Sequence, residues 1–193
     1  VLQSYLTSFN TWGFIGIALG SWILLSSFIS IILFYKVKLS FNFIKNINGF
    51  LAHIGVGILI IGVTSSSIYK VEESFIIDVG DEIKFNNTII ELSEIKNLDK
   101  LNYTSLRALF ILKNSKNKKF GTIESGKNYY YASKIITTEA GIFHKWLKDI
   151  YIVLGDKKDI GWSVKIYDNP LVSFIWLGVF IMVYSGLIAI IKK

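Results

Sequence analysis

The sequence predicts a membrane protein of the α+β class: three transmembrane helices with an extracytoplasmic antiparallel β-rich domain inserted before the last span. Three observations carry that prediction. Long uncharged stretches occur three times, short β-branched and aromatic runs separated by turn residues fill the interval between the second and third, and the basic residues outside that interval sit at the ends of the uncharged stretches. With 52% hydrophobic and 15% aromatic residues and a single proline, the chain also holds more apolar sequence than one soluble core can bury.

Residues 12–35 carry no charged side chain. At about 1.5 Å per residue they exceed the ~30 Å hydrocarbon core of a bilayer, so they predict the first helix. Residues 48–69 predict the second, interrupted only by His53, and residues 170–191 the third, with Pro170 where a helix's first turn tolerates proline. Lys36, Lys38 and Lys45 follow the first span without any acid, and Lys192 and Lys193 follow the third. Both groups belong on the cytoplasmic side by the positive-inside rule, which puts the long segment between spans two and three outside. The chain thus divides into residues 1–47 (first span and basic loop), 48–69 (the span carrying His53), 70–169 (the outer domain) and 170–193 (third span and basic end). The outer segment sets 16 basic residues against all 14 acids, so the net charge of +7 is mostly topogenic and gives no support to a nucleic-acid partner.

Within 70–169 the runs SFIIDV, EIKF, TIIELSEI, ALFILK, NYYYASKIIT, DIYIVL and WSVKIY, broken by Gly-Asp, Asn-Asn, Asn-Ser and Asp-Lys-Lys-Asp, predict a small antiparallel sandwich or barrel. The stretch TTEAGIFHKWLKDI also admits a short amphipathic helix, because Ile142, Trp146 and Ile150 fall at i, i+4 and i+8. The lysine-rich KNSKNKK at 113–119 reads as a solvated hairpin tip. Trp12, Tyr35, Tyr69 and Phe174 lie near span ends and predict an interfacial belt, whereas the Tyr129–Tyr131 run alternates faces of a strand.

Few residues are equipped for chemistry. The absence of cysteine excludes disulfides, thiolate metal sites and cysteine nucleophiles. No HExxH, phosphate-binding glycine loop, GxSxG or pair of intramembrane acids occurs, which argues against a hydrolase, and no catalytic residue is assigned. A transporter fragment is disfavoured for want of charges and broken-helix signals in the spans. His53 is the only Asp, Glu, Lys, Arg or His within the spans, and a titratable side chain in hydrocarbon is a functional-site hypothesis by default. Gly49, Gly55, Gly57 and Gly62 share its span, so a planar ligand or a neighbouring helix has room to approach. Two readings stand: an axial ligand to haem iron, or a hydrogen bond to a neighbouring helix. His144, in the outer domain, is left unassigned.

In order along the chain, GFLAHIGVGILIIGV at 49–63, VGDEIKF at 79–85, NY at 102–103, KNYY at 127–130, TTEAGI at 137–142, KDIYIVLG at 148–155 and WSVKIYDNPLVSFIWLG at 162–178 resemble the C-terminal region of CcmF-type cytochrome c haem lyases. The resemblance runs from about residue 45 to the end, and the preceding residues fit only as a generic span. It implies a multi-pass protein of a bacterial or mitochondrial inner membrane, with residues 70–169 on the periplasmic or intermembrane-space side, acting in cytochrome c maturation by attaching haem to CxxCH apocytochrome c. It further implies a structural haem b ligated by His53, a thioredoxin-like thiol partner such as CcmH, the haem chaperone CcmE, and the N-terminal part of the lyase on the same or a separate chain. The tryptophan-rich haem-handling segment and its flanking histidines are not among these residues, so the chain reads as a processed, split or truncated piece. Glu139, Asp149, Tyr151 and Trp162 are the motif residues for testing. The alternative is a non-enzymatic membrane-anchored assembly subunit without haem.

Overall fold

The computed structural model describes residues 10–36 and 42–191. Of the residues on which orientation and the belt rest, Lys38, Lys192, Lys193 and the side chains of Tyr35 and Lys45 lie outside that description. The chain forms two compact units. One comprises the helices together with Trp146–Lys148, and the other comprises Val71–Lys145 and Asp149–Asp168.

The helical unit contains α1 (Thr11–Lys36), α2 (Asn42–Ile68) and α3 (Val172–Ile191), each long and apolar enough to cross a bilayer. Asn10 caps α1, its side-chain oxygen accepting the Gly13 N–H at 3.0 Å and so satisfying one of the helix's orphan donors. α2 lies between the other two and runs antiparallel to both. Tyr69, just past its end, meets Gly13 of α1, and Asn48 near its start accepts a hydrogen bond from Ser185 Oγ of α3 at 2.5 Å. Trp12, Trp22, Trp176 and Phe180 point outward from α1 and α3, as lipid-facing side chains would. Pro170, expected in the first turn of α3, instead ends the preceding strand. Leu171 makes the corner with φ of 55°, and the helix begins at Val172.

The second unit is a sandwich. One sheet has four strands in the order β1 (Val71–Ile77), β9 (Gly161–Pro170), β8 (Lys148–Lys158), β7 (Gly141–His144). The other has five, in the order β2 (Glu82–Phe85), β3 (Thr88–Asp99), β4 (Tyr103–Asn114), β5 (Lys119–Tyr130), β6 (Ile135–Glu139). All the recorded pairings are antiparallel. Alternation builds the core. Ile90, Leu92, Phe110, Leu112 and Ile123 from one sheet meet Ile77, Ile150, Ile152, Leu154, Val164 and Ile166 from the other, all nearly inaccessible. A bulge between Leu92 and Glu94 shifts the alternation so that Ile95, rather than Glu94, continues toward the core. Ser125 Oγ, fully buried, accepts the Leu154 N–H and donates to the Glu139 carbonyl, joining the sheets through a polar link inside the core.

The tip at Ser115–Lys118 is exposed, matching the expected hairpin. The segment that admitted a helix is β6, β7 and the start of β8 instead. Phe143 and Ile150 pair across the β7–β8 hairpin and face the core, so sheet pairing overrides a helical spacing that was only three residues deep. Lys113 bridges Glu82 at 2.5 Å and Glu91 at 2.6 Å, and those hydrogen bonds hold its ammonium pKa above the ordinary lysine value.

Candidate functional site

His53 lies on the face of α2 that neither α1 nor α3 covers, and its ring is exposed. Its Nδ1 is 2.7 Å from the Gly49 carbonyl oxygen, one turn back. A carbonyl only accepts, so Nδ1 carries a proton, and in the neutral ring the lone pair is then on Nε2. That is the tautomer and orientation a metal-ligating imidazole requires, with the backbone carbonyl as the second-shell acceptor.

The glycines divide by function. Gly57 and Gly20 of α1 meet so closely that a methyl on either would lie 3.0 Å from the other's carbonyl oxygen, and Gly55 and Gly178 of α3 are closer still, at 2.8 and 2.6 Å. Gly62 faces Phe174 and Ile175 of α3. These are helix-packing contacts of the small-residue kind. Gly49 alone of the four has open space where its side chain would be, and it lies one turn from His53 on the same face. The room for a planar ligand therefore comes from Gly49.

The motif residues of the sandwich go to three places. Glu139 ends β6 and belongs to a polar cluster. Arg107 Nη1 meets Glu139 Oε2 at 2.5 Å, Arg107 Nε–H donates to Ser105 Oγ at 2.7 Å, Ser105 donates to Asn128 Oδ1 at 2.7 Å, and Asn128 Nδ2 donates to Glu139 Oε1 at 2.5 Å. Ser105 and Asn128 are buried, so the cluster ties the edge strand β6 to β4 across β5. Arg107 was missed by sequence reasoning, although a signal exists: it is the only arginine among 21 basic residues, in a position where a planar fork reaches Ser105, Asn128, Glu139 and Glu124 and a lysine would not. Replacing Arg107 with methionine is expected to lower stability by about 1–2 kcal/mol, since Glu139 is half-exposed and rehydrates. Faster hydrogen exchange of the amides of 135–139 than of β4 amides would locate the loss, and unchanged exchange would contradict it.

Asp149 is buried and accepts from His144, whose Nδ1 lies 2.9 Å from Oδ2, while Asp149 Oδ1 has no partner. Tyr151, two residues along β8, has its phenol pKa pushed up by burial first and by the Asp149 charge second. Trp162 pairs with Ile77 and packs against the core, a structural position. Among the described residues no group of three or more His, Asp or Glu side chains is arranged to hold a metal ion, so the candidate site consists of His53 and the open face beside it.

The family model described as the CcmF C-terminal β-sandwich matches residues 68–170, more than half of the chain. The chain belongs to the CcmF family. Within that family it is 28% identical over 144 residues to the cytochrome c-type biogenesis protein CcmF of Pseudomonas aeruginosa, covering 74% of this chain and 22% of the relative. To the cytochrome c-type biogenesis protein CycK of Rhizobium meliloti it is 30% identical over 141 residues, covering 72% and 21%. The solved structure of a cytochrome c haem lyase CcmF superposes with a TM-score of 0.71 over 98% of this chain and 34% of the other, at 13% identity, a likeness of fold. This CcmF chain thus spans about a fifth of the length of its curated relatives. The family match covers the CcmF sandwich from β1 to β9 and begins at the last residue of α2, so it does not include His53.

Proposed function

We propose that the chain forms the C-terminal part of a haem lyase that attaches haem to CxxCH apocytochrome c in an energy-transducing inner membrane, and that His53 is an axial ligand to a haem b. Family membership and the names of its relatives support a role in cytochrome c-type biogenesis. The single observation that carries the ligand assignment is the His53 ring itself. Gly49 holds it through Nδ1, which leaves Nε2 as the nitrogen open to a ligand, beside open space, in a helix that otherwise has no acid or base between Asn48 and Ile68.

Thioether formation adds a thiol S–H across a haem vinyl C=C. One S–C and one C–H bond form, the S–H bond and the π bond are consumed, and no net electrons are transferred. Such a reaction needs reduced thiols, reduced iron and a sulfur held close to the vinyl carbon, so positioning carries much of the catalysis. A haem b held by His53 would supply a one-electron carrier for that chemistry. The chain's own residues hold the imidazole: Gly49 fixes the ring, and the Gly20–Gly57 and Gly55–Gly178 crossings fix α2 between its neighbours. The remaining parts come from partners. These are the N-terminal portion of the lyase on the same or another polypeptide, from which any further ligand to the iron would come, a thioredoxin-like thiol protein of the CcmH kind, and a haem chaperone of the CcmE kind. Residues 70–169 face the outer side of the membrane, where apocytochrome c is met.

Depleting the chain from its own membrane and staining denatured proteins for covalently bound haem tests the reading. Covalent haem is expected to disappear from the c-type cytochromes while their apoproteins persist, and undiminished staining would defeat the lyase assignment. Loss of covalent haem with an unchanged b-type spectrum of the purified complex after His53→Ala would instead leave a structural subunit without a haem ligand.

A further inference from the structure

We infer that the tip of the β7–β8 hairpin, Trp146 and Leu147, is a membrane anchor seated in the headgroup interface of the bilayer at the level of the first turn of α3. The two side chains are 69% and 56% exposed, although both are large and apolar, and they belong to the helical unit even though the strands on either side belong to the sandwich. A three-residue loop of Lys145, Trp146 and Leu147 that exposes two large apolar side chains to water has no structural reason in a hairpin.

Its height relative to the bilayer follows from α3. That helix has 20 residues, close to 30 Å at about 1.5 Å per residue, which only just spans the hydrocarbon core. Its first residues must therefore lie at the boundary. The Leu147 carbonyl accepts the Leu171 N–H at 2.8 Å, immediately before Val172 begins α3, so the tip sits at that boundary. The same end of the bundle carries Trp12, 77% exposed at the start of α1, and Tyr69, 50% exposed at the end of α2, the latter against Gly13. Trp146 continues this aromatic level from a chain segment outside the helices. Charge agrees with the placement. Lys145 and Lys148 bracket the pair, and a tryptophan and leucine between two lysines match acyl chains below and anionic phosphates above. Lys145 holds its ammonium 3.9 Å from the Phe120 ring centroid.

The chain has no native cysteine, so Trp146→Cys and Leu147→Cys each accept one nitroxide label in the full chain. In nanodiscs of mixed phosphatidylcholine and phosphatidylglycerol, collision with dissolved oxygen and with a water-soluble nickel chelate reports each label's environment. Phe180→Cys on the outer face of α3 serves as the hydrocarbon reference and Lys118→Cys in the polar hairpin tip as the aqueous one. The oxygen-to-nickel accessibility ratio at 146 or 147 is expected to exceed that at 118 several-fold and to rise toward that at 180. The inference stands if either label behaves so. It is overturned if both match the aqueous reference, and equally if both are shielded from oxygen and nickel together, which would mean that protein covers the tip.

Discussion

His53→Ala is expected to remove the b-type reduced-minus-oxidised spectrum from the purified complex, with haem content per protein falling by at least ~10-fold, the lower end of what loss of even a second-shell partner costs a metal site. The physical case rests on what Nε2 does otherwise. An imidazole on the uncovered face of α2 has satisfied Nδ1 within its own helix, and in hydrocarbon a second ring nitrogen without a partner costs on the order of 1–3 kcal/mol. Coordination of Nε2 to iron would remove that cost. A companion change separates ligation from mere packing. Gly49→Leu sets its Cβ in open space, with nothing among the described residues within 4 Å, one turn from His53 on the same face of α2. It is expected to lower haem content while leaving the helical unit folded, and His53→Met is expected to retain part of the haem at a raised potential, as thioether ligation does. A full spectrum in His53→Ala would remove His53 from the iron.

Phe110→Ala is expected to destabilise the sandwich by about 3–5 kcal/mol, a third or more of the stability of an ordinary domain. Phe110 is wholly inaccessible in β4, the central strand of the five-stranded sheet, flanked by Leu92 on β3 and Ile123 on β5 and facing the opposite sheet. Removing its ring leaves a cavity that the hydrogen-bonded strands around it cannot close. Denaturant unfolding of the detergent-solubilised chain, followed by the fluorescence of Trp162 at the core's edge, reads the effect as a lowered midpoint at constant slope. Leu101→Ala, at a residue 99% exposed, is the control and is expected to shift stability by no more than ~0.5 kcal/mol. Equal midpoints for the two variants would mean that the core is not where the packing energy lies.

Much of the architecture is legible in local sequence, because the signals for it are local. A stretch without charge is long enough to span or it is not, and EIKF and DIYIVL alternate at period two whatever lies across from them. The reading of TTEAGIFHKWLKDI stayed open between helix and strand because three residues at i, i+4 and i+8 serve either, and only the pairing of Phe143 with Ile150 decides between them. The first two-thirds of β5, KFGTIESG, carries no strand signal, since two glycines and several polar residues hide a strand that is buried by its neighbours rather than by its own composition.

By itself the sequence determined three spans, a β-rich insert, a resemblance to CcmF and the singular position of His53. Each of these depends on composition and spacing within some 25 residues or fewer, or on motif order along the chain. The tertiary structure alone decided that Gly57 faces α1, that Gly55 and Gly62 face α3, and that Gly49 keeps the space beside His53 open. It alone gathered Ser105, Arg107, Asn128 and Glu139 into one clamp and set Leu147 against the start of α3. The reason is that these contacts join residues far apart in the chain, and which face of a helix or strand meets which neighbour is fixed by packing, a property that no single segment possesses.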